Sequence, residues 1–174
     1  MTKTCIVIAD GIRARFISVD APTDVDLDGG PRLVEHRDLV NPEGDLPERE
    51  LHSDRSGRAH GAPGGSAHGL DDHHGQRAER SRRFAQRVAE AIEHFVVEQE
   101  ARHLLLVAPP RLLGYLRPAM DRKRLAGVSV TDIGEDLSRM PLQELQEVLA
   151  ARGLVPVKQV PRGAVFRPRG QPVD

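Results

Sequence analysis

Histidine and carboxylate side chains crowd one polar stretch of the chain, where their chemistry would suit a divalent metal. Five of the eight histidines fall within residues 52–74. The candidate ligands in that stretch are His68, Asp71, Asp72, His73 and His74. No cysteine pair accompanies them, and no i, i+4 pair of histidines sets a coordination geometry. We therefore predict no bound metal and no other cofactor, with the three histidines as the candidates should a metal bind.

Arginine side chains gather in the same region, where they would suit the phosphates of a nucleic acid. Seven arginines and four acidic residues lie between His52 and Arg87, whereas the whole chain has a formal net charge of −1. Cations at the start of a helix oppose its dipole, and a phosphate group bound there would explain them. A solvated helix face is the alternative. The pattern predicts RNA contacts through Arg55, Arg58, Arg77, Arg80 and Arg83.

Three acidic residues near predicted strand ends give a catalytic hypothesis, a metal-dependent nuclease. Asp10 follows the first predicted strand, and Asp132 and Glu135 lie near the last one. Two-metal sites use carboxylates in this way. Asp10 also has a structural explanation, because Asp10-Gly11 is a dipeptide typical of a tight hairpin turn. The turn explains Asp10 better than the nuclease does, so we favour the turn. No serine nucleophile motif, phosphate-binding glycine loop or dinucleotide-binding fingerprint occurs in the sequence, so ordinary metabolic catalysis has no support.

Composition indicates one domain in a reducing compartment. The 174 residues fit a single domain, and 39% hydrophobic residues suffice for a core although Trp is absent. Cys5 has no partner for a disulfide, and we expect it to be buried and unreactive. No apolar run is long enough for a signal peptide or a membrane span. We therefore expect a cytoplasmic protein without a membrane partner.

The apolar periodicity predicts an α/β domain. Three strands come first, and helices then alternate with two further strands. The predicted strands are Cys5–Ala9, Ile12–Val19, Arg32–Val40, Leu104–Val107 and Val128–Ile133. The predicted helices are Glu79–Gln99, Arg111–Met120 and one that opens at Pro141 and stops at Gly153. The third strand is charged enough to be an edge strand.

Two segments lack any apolar period. Residues 41–76 are rich in glycine and histidine, and we predict a long mobile loop, which is typical of functional or disordered segments. Residues 154–174 are rich in proline and arginine, and we predict an extended C-terminal tail. The folded domain is accordingly predicted to span residues 1–153.

Several short motifs resemble those of one bacterial family. The motifs are Asp54-Arg55-Ser56-Gly57-Arg58, Val107-Ala108-Pro109-Pro110-Arg111, Leu113-Gly114 and Asp136-Leu137-Ser138. With the long helix between the first two, they resemble the host-attachment protein family from about Lys3 to Gly153. That family is similar to the middle domain of archaeal and eukaryotic peptide-chain release factors. The resemblance implies a ribonuclease-H-like fold with a mixed sheet, in which a strand meander is followed by helix–strand units.

The resemblance also implies a role for the end of the glycine-rich loop. In release factors a Gly-Gly-Gln loop enters the ribosome, where the glutamine helps to place the water that attacks the peptidyl-tRNA ester. Gly75 and Gln76 match the last two positions of that motif, and His74 occupies the first. A positive φ at His74 would be strained by roughly 1 kcal/mol or more, so we expect inefficient hydrolysis. The resemblance makes His74, Gly75 and Gln76 the candidate catalytic residues.

Three functional hypotheses fit these features. The first is an RNA-facing factor that binds the ribosome or tRNA in translation rescue, quality control or dormancy. The second is a non-enzymatic factor of the host-attachment family that acts through protein partners. The third is hydrolysis of the peptidyl-tRNA ester by the loop that contains Gln76. The sequence leaves the oligomeric state open.

Overall fold

The first forty residues form an antiparallel meander of three strands. The computed structural model describes residues 3–20, 31–44, 68–121 and 123–156, with only the backbone for residues 68–74. Strand β1 spans Thr4–Ala9, β2 spans Arg13–Asp20 and β3 spans Arg32–Val40. β1 pairs antiparallel with β2, and β2 pairs antiparallel with β3. Asp10 closes the predicted turn, because its carboxylate accepts hydrogen bonds from the backbone N–H groups of Ile12 and Arg13 at 2.6 and 2.7 Å.

Helices alternate with strands in the second half of the described chain. Helix α1 spans His68–Glu98, strand β4 His103–Val107, helix α2 Pro110–Ala119, strand β5 Ser129–Ile133 and helix α3 Leu142–Ala151. β4 lies parallel to β1 and β5 lies parallel to β4, so the described strands have the order β3-β2-β1-β4-β5. This mixed sheet, a meander followed by helix–strand units, confirms the predicted α/β class. Its strand order is that of the ribonuclease-H-like fold.

The sheet is covered on both faces, which explains why β1 and β4 are apolar at almost every position. Alternate residues of a strand point to opposite sides of a sheet. Val7 and Leu106 pack on one side with α1 and α2, which we call the α1–α2 face. Ile8 and Leu105 pack on the other side with α3, which we call the α3 face. Two apolar clusters therefore hold the three helices to the sheet.

β3 is an edge strand among the described strands, as its charged sequence predicted. Most of its side chains are exposed, and a bulge shifts its register with β2. The buried Arg15 of β2 anchors it, since its Nε and Nη2 atoms donate to the two carboxylate oxygens of Glu35 at 2.8 Å. Arg15 Nη1 also donates to the carbonyl oxygens of Ser138 and Met140. The guanidinium thus joins β2, β3 and the turn before α3.

Helix α1 begins eleven residues earlier than predicted, at His68 and not at Glu79. The prediction of a loop through residue 76 is therefore wrong at its end, because residues 68–76 are helical. Among the α1 side chains that the structure describes, Phe84 is the first buried one, so no apolar period marks the preceding turns. Local contacts run along those turns instead. The Ser81 hydroxyl donates to the Arg77 carbonyl at 3.0 Å, an i, i+4 contact along the helix.

The other predicted boundaries agree with the structure to within two residues. Gly153 has a φ of +69°, the left-handed conformation typical of a residue that ends a helix. Val155 is buried against the α3 face, so the packed chain continues past the predicted domain end at residue 153. Residues 157–174, most of the predicted tail, lie outside the described residues. None of the helices in the described ranges is long and apolar enough to cross a membrane.

Candidate functional site

The three residues predicted to be catalytic lie in helix α1 and not on a loop. His74, Gly75 and Gln76 fall within its first three turns. The positive-φ glycines of the described chain are Gly127 and Gly153, so Gly75 keeps an ordinary helical backbone. A release-factor loop needs backbone freedom at this position, and the predicted presentation on a loop is wrong. The side chain of His74 lies outside the described residues, and the catalytic role of the three residues stays a prediction.

The predicted RNA-binding arginines divide into two groups. Arg77, Arg80 and Arg83 lie within residues 75–83, which we call the exposed part of α1 because none of them is buried. Arg83 is engaged, because its Nη2 atom lies 3.0 Å from the Glu43 carboxylate. Arg55 and Arg58 lie outside the described residues. The structure therefore places three of the five arginines on one helix and leaves their RNA contacts a prediction.

The carboxylates of the nuclease hypothesis are not brought together. Asp10 lies beside Ser138, which places it toward the α3 face. Asp132 is paired in register with Leu106 on the α1–α2 face, and its Oδ2 atom accepts from Arg117 Nε at 2.6 Å. The ends of β1 and β5 are two strand spacings apart, which is about 10 Å. This distance is greater than the one that a single pair of metal ions bridges.

Hydrogen bonding explains the ionisation of Asp10. Burial raises the pKa of its carboxyl group, but hydrogen bonds from Ser138 and from the N–H groups of Arg13 and Ile12 outweigh burial. The pKa of Asp10 therefore lies below its ordinary value. Among the described side chains, no three His, Cys, Asp or Glu residues are grouped closely enough to hold a metal. The side chains of the candidate ligands His68, His73 and His74 are outside that set.

A cleft of about 540 Å³ opens at one end of the sheet, where β1, β3 and β4 end. We call it the arginine cleft. It is lined by Gly11, Ile12, Asn41, Glu43, Gly44, Arg77, Arg80, Ser81, Pro109, Arg111, Leu112 and Tyr115. The lining residues come from the β1–β2 turn, the segment after β3, the exposed part of α1 and the start of α2. Ligands of α/β proteins commonly bind beyond the carboxyl ends of the strands.

Asn41 and Gly44 hold two walls of the arginine cleft together. The Asn41 side-chain amide donates to the Gly11 carbonyl at 2.8 Å, and the Asn41 backbone N–H donates to the Ile12 carbonyl. Gly44 lies so close to this turn that an added Cβ would be 2.7 Å from the Gly11 oxygen and 2.9 Å from the Ile12 Cα. The position therefore requires glycine, because the neighbouring atoms are backbone and cannot rotate away.

The arginine cleft carries excess positive charge. Arg77, Arg80 and Arg111 line it, and none of them pairs with a carboxylate among the described residues. Glu43 is the one carboxylate of the lining set, and Arg83 already binds it. The cleft is therefore suited to an anion. The sequence pattern predicted Arg77 and Arg80 as phosphate-binding residues but not Arg111. The position of Arg111 directly after the Pro-Pro helix start could have indicated it.

A second concave surface lies beside the outer strand β5. We call it the β5 groove; it has a volume of about 580 Å³. Its lining is Arg117, Met120, Leu125, Ala126, Gly127, Val128, Val130 and Asp132. Val130 is 40% exposed although its side chain is apolar. Asp132 Oδ1 is buried and has no hydrogen-bond partner among the described residues. No sequence pattern marks this groove, because its apolar residues come from three short segments.

The backbone of β5 is open on its outer side. The Ser129 N–H donates to the Arg102 carbonyl, and the Ala108 N–H donates to the Ile133 carbonyl. Ser129 and Ile133 therefore face β4, and the alternating residues Val130 and Asp132 direct their backbone N–H and C=O groups outward. No described strand lies beyond β5. The outer edge can thus accept a further strand.

Comparison with known proteins identifies one family. A family model described as "Protein required for attachment to host cells" matches residues 5–149. No curated protein matches the chain. Among solved structures, the Ppx/GppA family member of Aquifex aeolicus is 12% identical with a TM-score of 0.34; the match covers 76% of this chain and 35% of that one. The RuvC structure of Thermus thermophilus is 13% identical with a TM-score of 0.33; the match covers 94% of this chain and 85% of that one.

Proposed function

Because the chain belongs to the family of proteins required for attachment to host cells, we propose that it is a non-enzymatic interaction factor that docks a protein partner along β5. The family match covers most of the chain, and its description concerns attachment to host cells. The resemblance to release factors rests on sequence motifs alone. Binding is therefore a better-supported role for this protein than hydrolysis.

The observation that carries the proposal is the open edge of β5 with the β5 groove beside it. An extended peptide can add to such an edge through backbone hydrogen bonds, while its alternate side chains enter a neighbouring pocket. Val130 and Asp132 offer two N–H donors and two C=O acceptors for this pairing. The apolar lining residues Leu125 and Val128 would receive an apolar side chain of the partner.

Asp132 indicates one further property of the partner. Its Oδ2 atom is bound by Arg117, but its buried Oδ1 atom has no donor among the described residues. An unsatisfied buried acceptor costs about 1–3 kcal/mol, which a donor from a docked segment would recover. We expect the partner segment to be extended, apolar at one position and to carry a hydrogen-bond donor near Asp132.

Capture of partners from a lysate treated with nuclease tests the proposal. Val130→Lys places a charge on the outer edge, and charged edge residues block strand addition. Val130→Pro removes the outward N–H and leaves the pairing with β4 intact. Val97→Lys is the matched control, because Val97 is also exposed, at 67%, but lies on α1.

The expected result is that both Val130 variants lose the same proteins, identified by mass spectrometry, that the wild type and Val97→Lys retain. A peptide of the captured protein should then compete for binding and protect the backbone N–H groups of β5 from hydrogen exchange. Retention of all protein partners by both Val130 variants would exclude β5 as the docking edge. Loss of every partner on nuclease treatment would favour nucleic acid.

RNA binding is the second candidate function, and the exposed arginines of α1 favour it. Arg77, Arg80 and Arg87 have no carboxylate partner among the described residues, and Arg83 lies on the same part of the helix. Binding to phosphates through these side chains would weaken steeply with salt. We propose the ribosome or tRNA as the RNA partner in this case.

Co-sedimentation with ribosomes tests RNA binding directly. The variant with Arg77, Arg80 and Arg83 all changed to Ala should lose co-sedimentation at low salt. Its slope of log affinity against log salt should be smaller by roughly one for each phosphate contact that is lost. If the wild-type protein stays in the supernatant at low salt, RNA binding is excluded as its function.

A further inference from the structure

The arginine cleft holds more positive charge than its own acidic residues neutralise. Three guanidinium groups, those of Arg77, Arg80 and Arg111, line it without carboxylate partners among the described residues. They come from two different helices, so they approach the cleft from two sides. Arginine prefers planar, bidentate contact with carboxylate or phosphate oxygens. The cleft is accordingly an anion site whose charge its described surroundings do not balance.

The start of α2 adds hydrogen-bond donors to this charge. Pro109 precedes the helix without a side-chain cap, and the first turn contains no acidic residue. The first helical hydrogen bond runs from the Leu113 N–H to the Pro109 carbonyl at 3.1 Å. The N–H groups of Arg111 and Leu112 precede it and have no partner within the helix. Both residues line the arginine cleft, so the start of α2 borders the same space as the three arginines.

The size of the arginine cleft limits the kind of anion. A volume of about 540 Å³ lies within the range of small-molecule sites. The positive charge of three arginines and a helix N-terminus is greater than the single negative charge of a carboxylate or of one phosphodiester in a nucleic-acid strand. A terminal phosphate carries a charge of about −1.5 to −2 at neutral pH, and a diphosphate carries more.

We propose that the arginine cleft binds a small phosphorylated ligand, whose terminal phosphate or diphosphate lies between the start of α2 and Arg77, Arg80 and Arg111. The two free N–H groups of α2 bind one side of the phosphate and the guanidinium groups bind the other. This inference does not rest on the docking along β5, because the arginine cleft and the β5 groove share no lining residue.

Titration calorimetry with inorganic pyrophosphate tests the inference. The wild type should bind with a 1:1 stoichiometry, and Arg77→Ala and Arg111→Ala should each weaken binding by at least about tenfold. Arg102→Ala is the matched control, since Arg102 is exposed directly before β4 and its substitution removes the same charge. Its affinity should stay within about twofold of the wild type. Unchanged thermal unfolding of each variant shows that the effect is local.

Three results would overturn the inference. The first is the absence of saturable pyrophosphate binding. The second is a loss of pyrophosphate affinity that is equal for Arg102→Ala and Arg111→Ala. The third is tighter binding of an oligoribonucleotide without terminal phosphates than of pyrophosphate, with the same dependence on Arg77 and Arg111, which would make the cleft part of an RNA-binding surface.

Discussion

The ion pair between Arg15 and Glu35 joins β2 to β3, and the sequence around the two residues does not predict this contact. Arg15 is buried, and its guanidinium group reaches Glu35, Ser138 and Met140 at once. The hydrogen bonds from Arg15 hold the pKa of Glu35 below its ordinary value, and they outweigh the effect of burial. Because a carboxyl group with a lowered pKa stabilises the folded state when ionised, this contribution is present above pH 4.5 and is lost as the pH falls.

Glu35→Gln should lower the free energy of unfolding at pH 7 by about 2 kcal/mol, because it leaves the buried Arg15 without its charged partner. The variant should also lose less stability than the wild type between pH 5 and pH 3, which urea denaturation at each pH would measure. Glu90→Gln, at an exposed position of α1, is the control and should change neither quantity. Equal behaviour of the two variants would show that the Arg15 pair contributes nothing.

Gly44→Ala should deform the arginine cleft. The new Cβ would meet the backbone of Gly11 and Ile12 inside van der Waals contact, so the segment after β3 must move. We expect a loss of stability of roughly 1–3 kcal/mol and weaker pyrophosphate binding. Gly114→Ala is the control, because an added Cβ at that position of α2 meets nothing within 4 Å. Denaturation and calorimetry measure the two effects, and an undiminished affinity in Gly44→Ala would contradict the close approach.

At the scale of elements, apolar periodicity was enough to find all eight described elements in order. β1 and β4 are marked by continuous apolar runs, and β3 by its charges. The start of α1 was missed because residues 68–83 are polar and include glycine, so they carry no apolar stripe. Local contacts, such as the bond from the Ser81 hydroxyl to the Arg77 carbonyl, run along this part of the helix, and a search for buried faces does not detect them.

The exposed part of α1, residues 75–83, should exchange its backbone hydrogens faster than residues 84–96. No residue of the first range is buried, whereas Phe84, Val88, Ile92 and Phe95 anchor the second to the sheet. Helical turns without tertiary packing are marginally stable in water. Hydrogen exchange followed by mass spectrometry measures this, and pyrophosphate should slow exchange in residues 75–83 but not in residues 84–96. Equal protection of both ranges in the free protein would contradict the interpretation.

At the scale of the whole molecule, the fold was predictable and the sites were less so. The arginine cleft combines the β1–β2 turn, the segment after β3, α1 and α2, which are far apart in the sequence. Sequence spacing indicated that Arg77 and Arg80 were important, but it gave no reason to join them with Asn41 or Arg111. Which residues meet in the cleft depends on which strands are neighbours in the sheet, and the pairing of β1 with β4 sets this arrangement.

Cys5 reports on the opening of the whole molecule. It is fully buried on the α1–α2 face, and burial, with a smaller effect from Glu98, raises the pKa of its thiol to about 12. The thiolate is the reactive form, so a thiol reagent at pH 8 should label Cys5 only when β1 becomes exposed. The labelling rate should rise with urea in parallel with global unfolding. Rapid labelling of the folded protein would contradict the packing of β1.

The unequal edges of the sheet limit how many partners the chain can add. β3 carries charged side chains and a bulge, both of which discourage a further strand, whereas β5 has an outer edge on which no described strand lies. A protein with two open edges can polymerise, because each added copy offers a new edge. With one open edge, growth stops after a single addition. If a partner strand adds at β5 as proposed, the described edges favour a closed complex with one partner strand per chain over a fibre.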